Sequence, residues 1–234
     1  MTRATETASF DPELFDFLRE LADHNDREWF NANKGRYEAH VLEPALAFIE
    51  DFGYRLNEIS PHCRADTRKT GGSLFRIYRD TRFTKDKTPY KSNTGMHFRH
   101  ERAKDAHAPG YYLHLAPGQV FAGGGIWHPD TPTVTRIRQA IVADPERWRE
   151  ATRTPPFSDV LDLGGDDSKL KRVPTGFDPD HEFAEDLKRK DYFGWAQLSE
   201  EAATAPGFLD EYTRICEAGV PLIRFICDAL DLEF

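Results

Sequence analysis

Apolar residues recur at helical spacing near both ends of the chain. Asp11-Pro12 supplies an oxygen acceptor and a proline, the residue types that begin helices. The stripe that follows has the spacing of an amphipathic helix: Leu14, Phe17, Leu18 and Leu21. Similar patterns predict three more helices, over about 25–34, 35–59 and 208–230. Pro44 is expected either to start the second half of the helix over 35–59 or to kink it, and Pro221 to kink the helix over 208–230.

The middle of the chain alternates instead, which is typical of strands. Over 74–82, Phe75 and Ile77 fall on one side, and the other side carries Arg76, Tyr78, Asp80 and Arg82. Further strands are predicted over 93–99, 110–116, 120–125 and 192–198, and further helices from Thr131, from Asp144 and over about 180–190. Pro117-Gly118 has the chemistry of a type II turn, so the strands on either side of it form a hairpin.

These elements predict an α+β fold, an antiparallel β-meander of about four to five strands flanked by N-terminal and C-terminal helices. We expect a single domain over 1–234, with helices at about 11–59, a sheet with a basic segment at about 74–126, and a helical C-terminal part at about 131–232. With 234 residues, 39% hydrophobic and 12% aromatic, the chain can build a packed core and does not have the composition of a disordered protein.

The sequence contains no apolar run of the roughly 20 residues that cross a bilayer, and its N-terminus lacks the apolar core of a signal peptide. The three cysteines, Cys63, Cys216 and Cys227, have no CxxC spacing, which disfavours a disulfide framework and a zinc site. We therefore expect a soluble cytoplasmic protein that does not associate with membranes, with Cys216 and Cys227 buried as free thiols on one helix face.

Charge is distributed unevenly along the chain. The formal net charge is −9, which argues against general adhesion to nucleic acids. Twelve basic and four acidic residues nevertheless lie between Arg64 and Lys104, so this stretch carries +8 and the remainder −17. A basic stretch in an acidic chain is the sequence feature that most strongly indicates a binding site.

The densest part of this stretch, the basic segment 76–91, contains six cations and two carboxylates. Arginines two residues apart on a strand can converge on a carboxylate or a phosphate. The candidate ligand-binding residues are Arg76, Arg79, Asp80, Arg82, Lys85, Lys87, Tyr90 and Lys91. We expect Arg76, Arg79 and Arg82 to bind an anion and Asp80 to orient them. Tyr90 would then stack on the ligand or hydrogen-bond to it, and the three lysines would gate the site. The alternative is an ion-pair lattice on an exposed sheet face, which stabilises little.

The same segment resembles a known family. The domain of unknown function 2461 family, found in bacteria, has the hallmark R-x-x-R-D-x-R-F followed by D/N-K-x-x-Y. This sequence matches it with Arg76, Arg79, Asp80, Arg82, Phe83, Asp86, Lys87 and Tyr90. The resemblance extends to residues 17–18, 27–34, 110–112, 123–127 and 169–174. Because the family is uncharacterised, the resemblance implies a relationship and no activity.

Other motifs are weaker. The run Gly123-Gly124-Gly125 lacks the Gly-Lys-Ser/Thr of a phosphate-binding loop, and a three-histidine metal site at His97, His114 and His128 has no supporting spacing. The polar and aromatic junction at 25–34 is interpreted mainly as capping and packing. Its alternative is that Arg27, Asn33 or Lys34 reaches the site. The cluster of Lys169, Lys171 and Arg172 is interpreted as a solvated loop.

Three functions remain open on the sequence alone. The leading hypothesis is binding of an anionic small molecule, phosphorylated or carboxylate, with no cofactor and no metal. Whether it is an enzyme stays open, because no nucleophile is identifiable. The second is a nucleic-acid-binding module, since Tyr78, Phe83 and Tyr90 interleave with the cations, although the net charge disfavours it. The third is a platform for an acidic protein partner.

Overall fold

The computed structural model describes residues 8–102 and 107–234. Its strands are β1 (Thr94–Arg99), β2 (Gly110–Ala116), β3 (Gln119–Ile126), β4 (Asp162–Leu163) and β5 (Tyr192–Leu198). Its helices are α1 (Pro12–Asp23), α2 (Arg27–Ala32), α3 (Lys34–Tyr37), α4 (Glu43–Ile59), α5 (Thr131–Ala143), α6 (Pro145–Arg153), α7 (Phe157–Val160), α8 (Ala184–Leu187), α9 (Glu200–Thr204) and α10 (Phe208–Ala229). A π-helical turn, Glu38–Leu42, joins α3 to α4, and a 3₁₀ turn covers Asp166–Ser168. The predicted α+β class is confirmed.

The five strands form one antiparallel sheet in the order β1-β2-β3-β5-β4. The first three are a meander, and the hairpin between β2 and β3 turns at Gly118, whose φ of +70° suits glycine. Strand β5 then returns from the C-terminal half to pair along the whole of β3. The centre of the sheet is therefore fixed by residues far apart in sequence.

Local signals account for where the N-terminal helices start. The side chain of Asp11 accepts a hydrogen bond from the backbone N–H of Leu14 at 3.2 Å, and Asp26 caps α2 through the N–H of Trp29 at 2.9 Å. Pro44 lies in the first turn of α4, directly after the π-helical turn. The predicted helix over 35–59 is therefore two helices joined without a loop.

Helices α4 and α10 cover one face of the sheet. The ring of Phe52 on α4 meets Phe98 of β1 and Tyr212 of α10, each at 4.7 Å between centroids. Alternation along the strands sends other residues to the opposite face, which we call the aromatic face: His97, Tyr112, His114, Phe121 and Trp195. On this face His97 is buried and the other four side chains are half-buried.

Two predicted elements are wrong in the structure. Residues 74–82 do not form a strand; they are irregular, with the isolated bridges Leu74–Met96 and Tyr78–Tyr90 in place of a ladder. Ile77 packs inward, which accounts for part of the alternation, whereas Arg79 and Arg82 pair with carboxylates of their own segment and not across a ladder. Residues 180–190 are helical only over Ala184–Leu187, and the buried side chains of Asp186 and Arg189 bond to Trp148 and to the Gly164 carbonyl, respectively, both outside the segment. The short strand β4 had no sequence signal.

Cys63, Cys216 and Cys227 are free and buried, so the prediction for the two thiols of α10 is confirmed. Burial raises the pKa of the Cys63 thiol to about 11 and that of Cys227 to about 12. Among the residues that the structure describes, no helix combines the length and apolar character needed to span a membrane.

Candidate functional site

The basic segment 76–91 is attached to helix α2 and the residues before it. The side-chain amide of Asn25 accepts a hydrogen bond from the Tyr90 backbone N–H and donates one to the Tyr90 carbonyl, both at 3.0 Å. The buried ring of Tyr90 stacks on Phe30 with centroids 4.1 Å apart and planes at 20°. Tyr90 is therefore an anchor that positions the segment, and its contact with a ligand stays a prediction.

Replacing Asn25 with alanine removes both hydrogen bonds and is expected to destabilise the protein by about 1–3 kcal/mol, since the Tyr90 backbone groups lose their partners. The segment is also expected to exchange its amide hydrogens faster. Asn31→Ala, on the exposed side of α2, is the matched control and should change the unfolding free energy by less than about 0.5 kcal/mol. Equal protection of residues 76–91 in Asn25→Ala and wild type would contradict this anchoring role.

Part of the charge in the segment is satisfied internally. Arg79 pairs with Asp86 and donates to the Thr88 hydroxyl, while Arg82 pairs with Asp80 at 2.7 Å. The Arg82 side chain and backbone N–H, together with the charge of Arg76, lower the pKa of Asp80 to about 2. Arg79 and Arg82 therefore sit in separate ion pairs, with Asp86 and Asp80 respectively.

Four cations of the segment have no carboxylate partner within residues 8–102 and 107–234: Arg76, Lys85, Lys87 and Lys91. Of these, Lys87 donates to the Thr81 carbonyl at 2.7 Å. Arg76 and Lys85 are exposed, but Lys91 is half-buried. Its ammonium lies 5.4 Å from the centroid of the Phe75 ring. Burial, followed by the charge of Arg76, lowers the pKa of Lys91 from 10.5.

Phe75 connects Lys91 to the aromatic face. Its ring lies 6.1 Å from that of Tyr112 and 6.3 Å from that of His97. Burial lowers the pKa values of His97 and His114 to about 4 and raises that of Tyr112 to about 12, so all three are neutral at pH 7. The aromatic face next to Lys91 thus contributes rings and neutral polar atoms, and no compensating negative charge.

A cleft of about 190 Å³ lies beside the start of this segment. It is lined by residues of the +8 stretch and their neighbours: Arg64, Asp66, Arg68, Gly72, Ser73, Arg99, His100 and Glu101. Arg64 pairs with Glu101 and Arg68 with Asp66, while Arg99 donates to the Gly71 carbonyl at 2.6 Å. The sequence shows that these arginines belong to the basic stretch, but it does not predict that they line one cleft. Arg99, on β1, lies 35 residues after Arg64 in the chain, and only the fold brings the two together.

The weaker motifs of the sequence have structural explanations: the glycine run, the three histidines, the 169–172 cluster and the 25–34 junction. Gly123 and Gly125 lie in β3, where a Cβ atom would collide with the backbone of β5, which explains them without a phosphate. No three potential metal ligands come together in the described residues, and His128 lies beyond the end of β3, away from the strand positions of His97 and His114. Lys169 pairs with Asp166 at 2.7 Å. At the 25–34 junction, Asn25 reaches the segment and Lys34 pairs with Glu38.

The comparisons agree with the resemblance noted in the sequence. A family model described as "Conserved hypothetical protein (DUF2461)" matches residues 13–225. No curated protein matches the chain. The matched range includes all of the basic segment, the complete sheet and most of α10.

Proposed function

Since the chain belongs to the DUF2461 family of conserved hypothetical proteins, whose description states no activity, we propose a function from the site itself. The protein binds an anionic small molecule, phosphorylated or carboxylate, where the basic segment meets the aromatic face. Arg76 and Lys91 contact the anion, with Phe75 beneath them. Lys85 and Lys87 lie at the rim, and the pairs Arg79–Asp86 and Arg82–Asp80 give the loop its shape. Its cytoplasmic location stays a prediction.

The observation that carries this proposal is Lys91. An ammonium group loses hydration when it is half-buried, and a carboxylate normally compensates for that loss. For Lys91, the Phe75 ring takes the place of a carboxylate, with its centroid 5.4 Å from the ammonium. The positive charge of Arg76 disfavours the charged form of Lys91 further. An anion between Arg76 and Lys91 would relieve both the desolvation and the repulsion. Such uncompensated charge is common at functional sites and less so in structural ion-pair networks.

A small anion suits this site better than a nucleic acid. The exposed rings of Tyr78 and Phe83 flank the segment and could stack on bases. However, two cations, Arg76 and Lys91, are few beside the charge of −17 on the residues outside 64–104, which repels a long polyanion. Binding of a single-stranded oligonucleotide that weakens steeply with salt would favour the nucleic-acid function instead.

The test is calorimetric titration with inorganic phosphate, citrate and a nucleoside monophosphate. Arg76→Gln with Lys91→Met should weaken binding of the tightest of these ligands by about 100-fold or more, because each of the two charge-assisted contacts contributes about 1.5–3 kcal/mol. Lys34→Gln, an exposed lysine paired with Glu38, is the matched control and should bind as wild type does. If the double variant binds with unchanged affinity, or if none of the anions binds, the proposal is wrong.

Without ligand, Lys91→Met alone is expected to stabilise the protein by on the order of 1 kcal/mol, or about 2–4 °C in Tm, because it removes a desolvated charge. The pKa of Lys91 in the folded protein lies below its usual 10.5. Below the folded pKa, the charged lysine therefore destabilises the folded state in full, and this loss of stability diminishes as the pH rises towards 10.5. The gain in Tm should therefore shrink as the pH is raised towards 10.5. A Tm below that of wild type at pH 7 would contradict this role of Lys91.

A further inference from the structure

A second group of residues, at the far end of β3, has the geometry of a proton-transfer site. His128 follows β3 by two residues, and Asp191 immediately precedes β5, so the pairing of these strands brings the two together. The carboxylate of Asp191 lies 3.0 Å from His128 Nδ1 and accepts the His128 backbone N–H at 2.6 Å. Its other oxygen accepts the hydroxyl of Ser168 at 2.7 Å.

Burial differs sharply between the two partners. The side chain of Asp191 is 2% exposed and that of His128 is 54% exposed. Because the Asp191 carboxylate acts as an acceptor, its contact with Nδ1 selects the imidazole tautomer that carries the N–H on Nδ1. In that tautomer the other ring nitrogen, Nε2, is the hydrogen-bond acceptor, and it has no hydrogen-bond partner among the described residues. A buried acid orienting an accessible imidazole is the arrangement of a general base and its positioning residue.

The imidazole is held more firmly than a surface side chain needs to be. His128 has φ of +49°, a left-handed conformation that is uncommon outside glycine and costs energy. The indole of Trp127 stacks on the imidazole at 4.0 Å between centroids and 25° between planes. Trp127 is itself 56% exposed. Backbone strain, a ring stack and a buried carboxylate together fix the position of Nε2, which is the preorganisation that catalytic groups need.

We propose that His128 is a general base, positioned by Asp191 and Trp127, that activates water to hydrolyse a carboxylic ester. Nε2 takes a proton from water as the water oxygen bonds to the carbonyl carbon. The ester C–O bond then breaks, its electron pair leaves with the alcohol oxygen, and that oxygen receives the proton from the imidazolium. The products are a carboxylic acid and an alcohol, and nothing is oxidised or reduced.

The surrounding charges favour an uncharged ester over a phosphate ester. Phosphoryl transfer depends on cations that neutralise the phosphoryl oxygens. The cations nearest in sequence to Ser168 and Asp191 are Lys169, Arg189 and Lys190. Lys169 and Arg189 are both paired with Asp166, each at 2.7 Å. This site rests on residues other than those of the anion site, so either can fail without the other.

The probe is 4-nitrophenyl acetate, with 4-nitrophenyl phosphate as the second arm. His128→Ala should lower kcat/KM for the acetate by at least about 100-fold, the lower end of the range for general-base catalysis, and added imidazole should restore part of it. Asp191→Asn should lower kcat and alter its pH profile, as expected for a positioning residue that fixes a tautomer. Circular dichroism and Tm identify loss of activity that is caused by misfolding.

The chain offers a close control for nonspecific reaction at surface histidines. His40 Nδ1 lies 3.0 Å from Asp11, the same separation as in the His128 pair, but both side chains are accessible, at 34% and 51%. His40→Ala should leave the rate unchanged. Equal rates for wild type and folded His128→Ala, or a loss in His128→Ala that imidazole does not rescue, would overturn the proposal. Cleavage of the phosphate alone, dependent on His128, would overturn the assignment of the substrate class.

Discussion

Asp186→Ala is expected to destabilise the protein by about 3–5 kcal/mol, the cost of breaking a buried charge pair by removing one partner. Asp186 is 2% exposed, and its carboxylate accepts the Trp148 indole N–H and an Arg153 N–H, both at 2.8 Å. It also pairs with Arg189, which is 5% exposed, at 3.0 Å. Truncation leaves a buried guanidinium and a buried indole N–H without this acceptor.

Urea unfolding followed by tryptophan fluorescence measures this loss. Glu182→Ala is the matched control, because Glu182 forms a comparable pair with Arg149 in which both side chains are more than 40% exposed. Its cost should stay below about 1 kcal/mol. Asp186→Asn keeps acceptor oxygens and should fall between the two. If Asp186→Ala costs no more than Glu182→Ala, burial is not what makes the Asp186 network important.

Gly123→Ala is expected to cost about 3 kcal/mol or more, at the upper end of the range for overpacking. A Cβ atom at Gly123 would lie inside the contact distance of the Gly194 carbonyl oxygen and 2.8 Å from Trp195 Cα. Both obstacles are backbone of the paired strand β5, so no side-chain rotation relieves the clash. The β3–β5 ladder must separate locally.

Gly35→Ala is the control for this substitution. Gly35 lies in helix α3, and a Cβ atom there would meet nothing within 4 Å, so alanine should stabilise the protein by about 0.5–1 kcal/mol through helix propensity. Thermal unfolding of the two variants therefore shifts in opposite directions. A Gly123→Ala protein as stable as wild type would mean that β3 and β5 are less closely paired than the register indicates.

Much of the fold was predictable because its signals are local. Caps such as Asp11 and Asp26, the proline of the β2–β3 turn and the alternation of β1 and β2 act within a few residues, so they appear directly in the sequence. The position of the basic segment in the sequence was predictable, but its backbone conformation was not. Its alternation imitates a strand, yet Asp80 and Asp86 pair with arginines of the same loop, and Asn25 holds Tyr90 from 65 residues away.

The sequence by itself determined the fold class, the family relationship and the position of the excess positive charge, because composition, caps and motif spacing do not depend on distant partners. Only the tertiary structure decided which charges remain without partners. It separated Arg76 and Lys91 from the paired arginines, placed Lys91 against Phe75, and brought Asp191 to His128. Desolvation, pairing and tautomer depend on what surrounds a side chain in space, and strand pairing between distant segments creates those surroundings.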